Sequence, residues 1–124
     1  MLIAIDRVAL PLFDEDFFMY GEDCELGWRF GQQAHALAHV DETLVEHDGA
    51  AGSVLGSMFY ETHMVAAHLI LARKLGRSTV DVCLLHAARV AMLVARAMAR
   101  CIRYRSLIPF KALWFGAELA FRKR

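Results

Sequence analysis

The chain has 124 residues, 57% of them hydrophobic and 23% charged, which excludes a disordered, collagenous or linker-like chain and fits one domain or part of one. Its 14 basic and 14 acidic residues cancel unevenly: residues 1–62 hold 12 acids and two bases, a net −10, and residues 63–124 hold 12 bases and two acids, a net +10. That split excludes an evenly mixed soluble surface and implies two parts with different surroundings, meeting near residues 53–62.

In chain order, residues 1–5 (MLIAI) form a short apolar run of the kind that makes a buried strand. A buried strand at the very start of a chain implies neighbours upstream. Residues 13–24 (FDEDFFMYGEDC) mix five carboxylates with three Phe, a Met and a Tyr and follow neither a period of 2 nor one of 3.6. The segment reads as a loop that packs aromatics inward and points carboxylates into a cleft or solvent. Residues 22–33 read as a helix with acids in its first turn, where the helix dipole favours them, and with Leu26 and Phe30 on one face. Residues 36–40 and 43–46 read as a hairpin turning at Asp41-Glu42, and residues 47–53 as a small Gly-rich loop.

Beyond Ser53 the pattern is helical. Residues 54–75 form a first helix closed by Gly76, with Arg73 and Lys74 in its last turn. Ser78-Thr79-Val80-Asp81 has the spacing of a capping box and opens a second helix that runs to about Tyr104. Pro109 starts a third, shorter helix. On a 100° wheel Arg89, Arg96, Arg100 and Arg103 fall within about 60° of one another, opposite a wide arc of Ala, Val, Met and Ile. Two readings stand for that stripe: a surface helix with solvated arginines, or an interfacial helix whose four arginines contact an anionic membrane surface. Nucleic acid is not expected, because the acidic half would repel phosphate.

No uncharged run reaches the roughly 18 residues of a spanning helix; the longest, residues 49–60, has twelve. Asp6 and Arg7 interrupt the start before a signal-peptide core can form. The three cysteines, Cys24, Cys83 and Cys101, lack metal-type spacing and suit free thiols in a reducing compartment. The expected location is cytoplasmic, with the inner face of the cell membrane as the place where the basic helices would act.

The ordered elements Phe13-Asp14-Glu15, Phe17-Phe18-Met19-Tyr20-Gly21, Glu22-Asp23, Leu26, Arg29, and His47 with Gly49 are informative together. In that order they resemble the C-terminal part of the catalytic domain of family 2 glycosyltransferases, especially the bacterial rhamnosyltransferase-like branch. Phe59-Tyr60-Glu61-Thr62 looks like the aromatic start of the helix that follows in that family. The resemblance covers about the first 75 residues. The chain departs from the pattern at Pro11-Leu12, Ala34 and Ala50, where the family has glycine.

The resemblance implies an α/β fold: an α-rich, C-terminal part of a GT-A domain over residues 1–53, with a short strand, a helix and a β-hairpin, followed over residues 54–124 by two or three amphipathic, basic helices. It implies inverting transfer of a sugar, rhamnose in that branch, from a nucleotide-sugar donor to a cell-surface glycan or lipid-linked acceptor. Such transfer needs a carboxylate to take the proton of the attacking hydroxyl. The resemblance gives that role to Asp23, flanked or oriented by Glu22. It places His47 at a metal–diphosphate site holding a divalent cation, Mg or Mn, where Gly49 permits close backbone approach. Trp28 and Arg29 either line the acceptor site or serve packing. The nucleotide-binding half lies upstream in the family, so the resemblance also implies a fragment that is inactive alone. A membrane-surface interaction module, or one half of a split enzyme, are the alternatives.

Overall fold

A computed structural model describes residues 10–33, 41–43 and 54–122. Four helices follow one another in the chain: α1 (Glu22–Gln32), α2 (Met58–Leu75), α3 (Thr79–Tyr104) and α4 (Ile108–Phe121). Helix accounts for 72% of the described residues, and no strand occurs among them. The expected α/β fold with a strand and a β-hairpin is therefore corrected to an all-helical one. The physical reason is that the apolar surface is buried by helix on helix, with α2 as the shared partner, and not by a sheet face. The segments 1–5, 36–40 and 44–46 that suggested strands lie outside the described residues, and Thr43 is in no regular element.

Local chemistry explains where the helices begin. The Ser57 hydroxyl accepts from the Tyr60 N–H at 3.2 Å and caps α2. The Ser78 hydroxyl accepts from the Asp81 N–H at 3.1 Å and caps α3, the cap that the Ser-x-x-Asp spacing predicts. Pro109 occupies the first turn of α4, where its missing N–H costs nothing. Helix α1 has no side-chain cap; it starts behind Gly21, whose φ of 88° is in the left-handed region.

Helix α2 is the centre of the molecule. Val65, Ala66, Leu69, Ile70 and Leu71 are buried with Phe17 of the acidic loop, Leu93 of α3 and Ala120 of α4. Helices α2 and α4 cross closely at Gly116, where a Cβ would sit 2.5 Å from the Val65 Cβ and 2.7 Å from the Thr62 carbonyl oxygen. The acidic segment closes over α2. Phe18 lies tilted against His63 with centroids 5.2 Å apart, Tyr20 meets Tyr60 at 5.3 Å, and Asp14 and Asp16 pair with Lys74 at 2.7 and 2.6 Å. Ion pairs thus bridge the boundary between the negative and positive halves.

Helix α3 is turned inside out. Arg89, Arg96 and Arg100 face α2 together with Leu93 and Ala97. Leu84, Val90, Val94, Met98 and Ile102 face outward, the last 80% exposed. Ala87, Ala88, Ala91, Ala95 and Ala99 are exposed between them. By length and composition α3 could cross a membrane, although Arg89 and Arg96 break its uncharged run, which is why a search for uncharged stretches passes over it.

Candidate functional site

The candidate site is built on the turn from the aromatic loop into α1. The left-handed Gly21 turns the chain against the floor of the molecule: a Cβ there would lie 3.2 Å from a Phe17 ring carbon and 3.3 Å from the Ala67 Cβ. The next two residues, Glu22 and Asp23, are the first of α1, so both carboxylates sit at the positive end of the helix dipole. Asp23 is exposed, and its Oδ1 accepts from the Cys24 N–H at 2.8 Å. Glu22 is half-buried, and its Oε2 is buried without a hydrogen-bond partner among the described residues. Burial, and then the neighbouring Asp23 carboxylate, push the Cys24 thiol up, which disfavours its thiolate.

Other acids of the segment are tied down. Asp16 accepts from the Arg73 Nη2 at 3.1 Å as well as from Lys74. Burial alone would raise the Asp14 carboxyl; hydrogen bonds from Lys74 and from the Asp16 N–H outweigh it and hold the group below the usual carboxylate range. Burial likewise works against the Lys74 charge, and the bonds to Asp14 and Asp16 hold its ammonium above its ordinary value. Glu25 is buried and takes both the Nε and the Nη2 of Arg29 at 3.2 Å. Arg29 also donates from Nη2 to the Leu12 carbonyl at 2.6 Å. Arg29 therefore clamps the loop to α1, and its fork is occupied. Trp28 is half-buried on the same helix.

His47 and Gly49 lie outside the described residues. Among the described residues no three His, Cys, Asp or Glu side chains come together as a metal group, so the divalent cation has no set of ligands to be tested there and no step is derived through one. A cavity of about 270 Å³ opens between the aromatic loop, α2 and α4, with Asp16, His63 and Arg73 in its lining; Glu22 and Asp23 are not part of it.

Comparison with known protein families, curated proteins and solved structures finds no match for this chain. The reading of the site therefore rests on its residues.

The four stripe arginines are placed unevenly. Arg96 Nη1 donates to Glu61 Oε2 at 2.9 Å, and Arg100 donates from Nε to Oε1 at 2.7 Å. Arg89 Nη1 lies 3.0 Å from His68 Nδ1. Arg103 is exposed and sits over the Tyr104 ring. Burial first, then the charges of Arg89 and Arg96, push the His68 imidazole below its ordinary value, so it is neutral at pH 7 and can accept from Arg89. Glu61, 1% exposed, is the residue that sequence reasoning passes over. It reads as part of the aromatic start of α2, yet it is the acid on which the two arginines converge. A signal does exist: residues 63–124 hold just two acids, so the arginines of α3 have few local partners and must look two residues beyond that boundary.

Proposed function

We propose that this chain is the acceptor-side part of a sugar-transferring enzyme, with Asp23 as the general base and Glu22 beside it. The acceptor hydroxyl loses its proton to the Asp23 carboxylate as its oxygen attacks the anomeric carbon of a nucleotide-sugar. Attack from the face opposite the leaving diphosphate inverts that centre. Asp23 stands in the first turn of α1, at the positive end of the helix dipole, with its carboxylate open to an incoming acceptor. Arg29, through Glu25 and Leu12, fixes the approach of the loop to α1 and serves the base by position.

One observation carries the reading. Asp14, Asp16, Glu25 and Glu61 are committed to ion pairs, whereas the Glu22-Asp23 pair, at the same helix start where the resembled family keeps its base, forms none with the described residues, and of the two only Asp23 is exposed. A carboxylate engaged by a guanidinium would be a poor proton acceptor; Asp23 is not so engaged.

The purified chain with Mg²⁺ or Mn²⁺ and a panel of labelled nucleotide-sugars is expected to give no turnover alone. Turnover is expected once the polypeptide encoded immediately upstream is co-expressed with it. Asp23→Asn should then lower the rate by about 10²–10⁴, the usual weight of a general base. Asp81→Asn, at the start of α3, should leave it unchanged. Transfer at an undiminished rate in Asp23→Asn would refute the assignment.

A further inference from the structure

We infer that α3 lies in the plane of a lipid bilayer with its alanine–valine–methionine arc sunk into the hydrocarbon, so that the arc, and not the arginine stripe, is the membrane-contacting surface. Exposure sorts this helix by polarity in the reverse of the usual sense. From Leu84 to Ile102 its outward residues are apolar without exception, while Arg89, Arg96 and Arg100 are turned inward. Only 11% of its most apolar 18-residue stretch is buried. A surface helix in water presents the opposite pattern, and an unbroken apolar arc about 28 Å long, from the 19 residues Leu84 to Ile102 at 1.5 Å each, is the kind of contiguous exposed patch that marks an interaction surface.

The occupant is identified as lipid by what lies at the ends of the arc. Arg77 is exposed just before α3, and Arg103 and Arg105 are exposed at its close. Basic ends around an apolar arc fit acyl chains flanked by headgroup phosphates, which zwitterionic and anionic phospholipids both carry. A second copy of the chain would set these arginines against like charges in a parallel pairing. Trp114, 74% exposed on α4, is the kind of side chain that settles at headgroup level.

The in-plane orientation follows from the acidic loop. Its contacts run the length of α2, from Phe18 against Phe59 and His63 at one end to Asp14 and Asp16 on Lys74 at the other. Helix α2 is joined to α3 by residues 76–78 and packs against it. A spanning α3 would carry α2 and those carboxylates through the bilayer core, where charge is costly.

The purified chain is tested by flotation with vesicles of phosphatidylcholine alone and of phosphatidylcholine with phosphatidylglycerol, at 0.1 and 1 M NaCl. The expected result is flotation with both compositions, weakened less than about tenfold by the high salt. Val94→Glu with Met98→Glu should reduce flotation about tenfold or more while circular dichroism stays unchanged, because both residues are on the exposed side of α3. An environment-sensitive dye on Met98→Cys, in a chain otherwise free of cysteine, should shift to the blue on vesicles and be quenched by nitroxides placed within one leaflet's depth. Three results would overturn the inference: flotation that requires anionic lipid and vanishes at 1 M NaCl, which is attachment by arginines; a dye that stays water-exposed on the vesicle; or a stable dimer that hides the arc and ignores vesicles. None depends on whether the chain transfers sugar.

Discussion

Glu61 is a carboxylate removed from water and shared by two guanidiniums, with Tyr60 under both cations at 5.9 and 5.4 Å. A buried ion pair contributes little compared with an apolar replacement, but removing one partner leaves a charge stranded. Glu61→Gln should therefore destabilise the fold by about 3–5 kcal/mol, read from urea unfolding at pH 7. An unfolding midpoint unchanged by Glu61→Gln would mean that Arg96 and Arg100 find water instead. At this scale the sequence is only partly legible. Ser78, Pro109 and Leu26 can be read because capping, ring geometry and burial are decided by near neighbours. Glu61 cannot be read from near neighbours, because its partners are 35 and 39 residues away; the scarcity of acids beyond it is the one signal, and that signal names no pair.

At the scale of elements, the limits of the helices are legible where they are set by local groups. Gly76 closes α2 and Ser78 opens α3, as their positions in the pattern require. The expected helix at 54–75 instead begins at Met58, because Ser57 supplies the cap. The wheel of α3 correctly separates an arginine stripe from an apolar arc, yet periodicity yields an axis and no direction along it. Which side faces in was settled by Glu61 and His68 on α2, which offer the arginines partners. The crossing of α2 and α4 depends on Gly116. Gly116→Ala would push a methyl into Val65 and the Thr62 carbonyl oxygen. The helices would have to part, at about 1–3 kcal/mol, the ordinary cost of overpacking. Thermal unfolding should show the loss, and relief by Val65→Ala in the double variant would locate the clash at that pair.

For the whole molecule, the −10 and +10 halves are joined by Lys74 and Arg73, which hold Asp14 and Asp16. The two sides of this link titrate in opposite directions. Asp14 is held below its ordinary value of 3.8, so its contribution is present above that value and is lost as pH falls through the lower folded value. Lys74 is held above 10.5, so its contribution is present below that value and is lost as pH rises through the higher folded one. Lys74→Met should lower stability at pH 7 by about 1 kcal/mol, since the partners are partly exposed and screened. It should also flatten the stability curve below pH 4; a curve parallel to that of the unsubstituted chain would show that Asp14 owes its low value to another group. The split itself is plain in the sequence, but its consequence is not. Opposite charge in two segments reads as separation, whereas in the folded chain it is what fastens one to the other.

The clasp of Arg96 and Arg100 on Glu61 also decides what α3 shows to its surroundings. Apart from α2, the helix would present bare guanidiniums beside its apolar arc, the amphipathic form that is drawn to anionic surfaces by charge. Against α2 those guanidiniums are engaged by Glu61 and His68, and the side left facing out is apolar. Docking of the two helices therefore replaces an electrostatic attraction, which salt would weaken, with a hydrophobic one, which it would not.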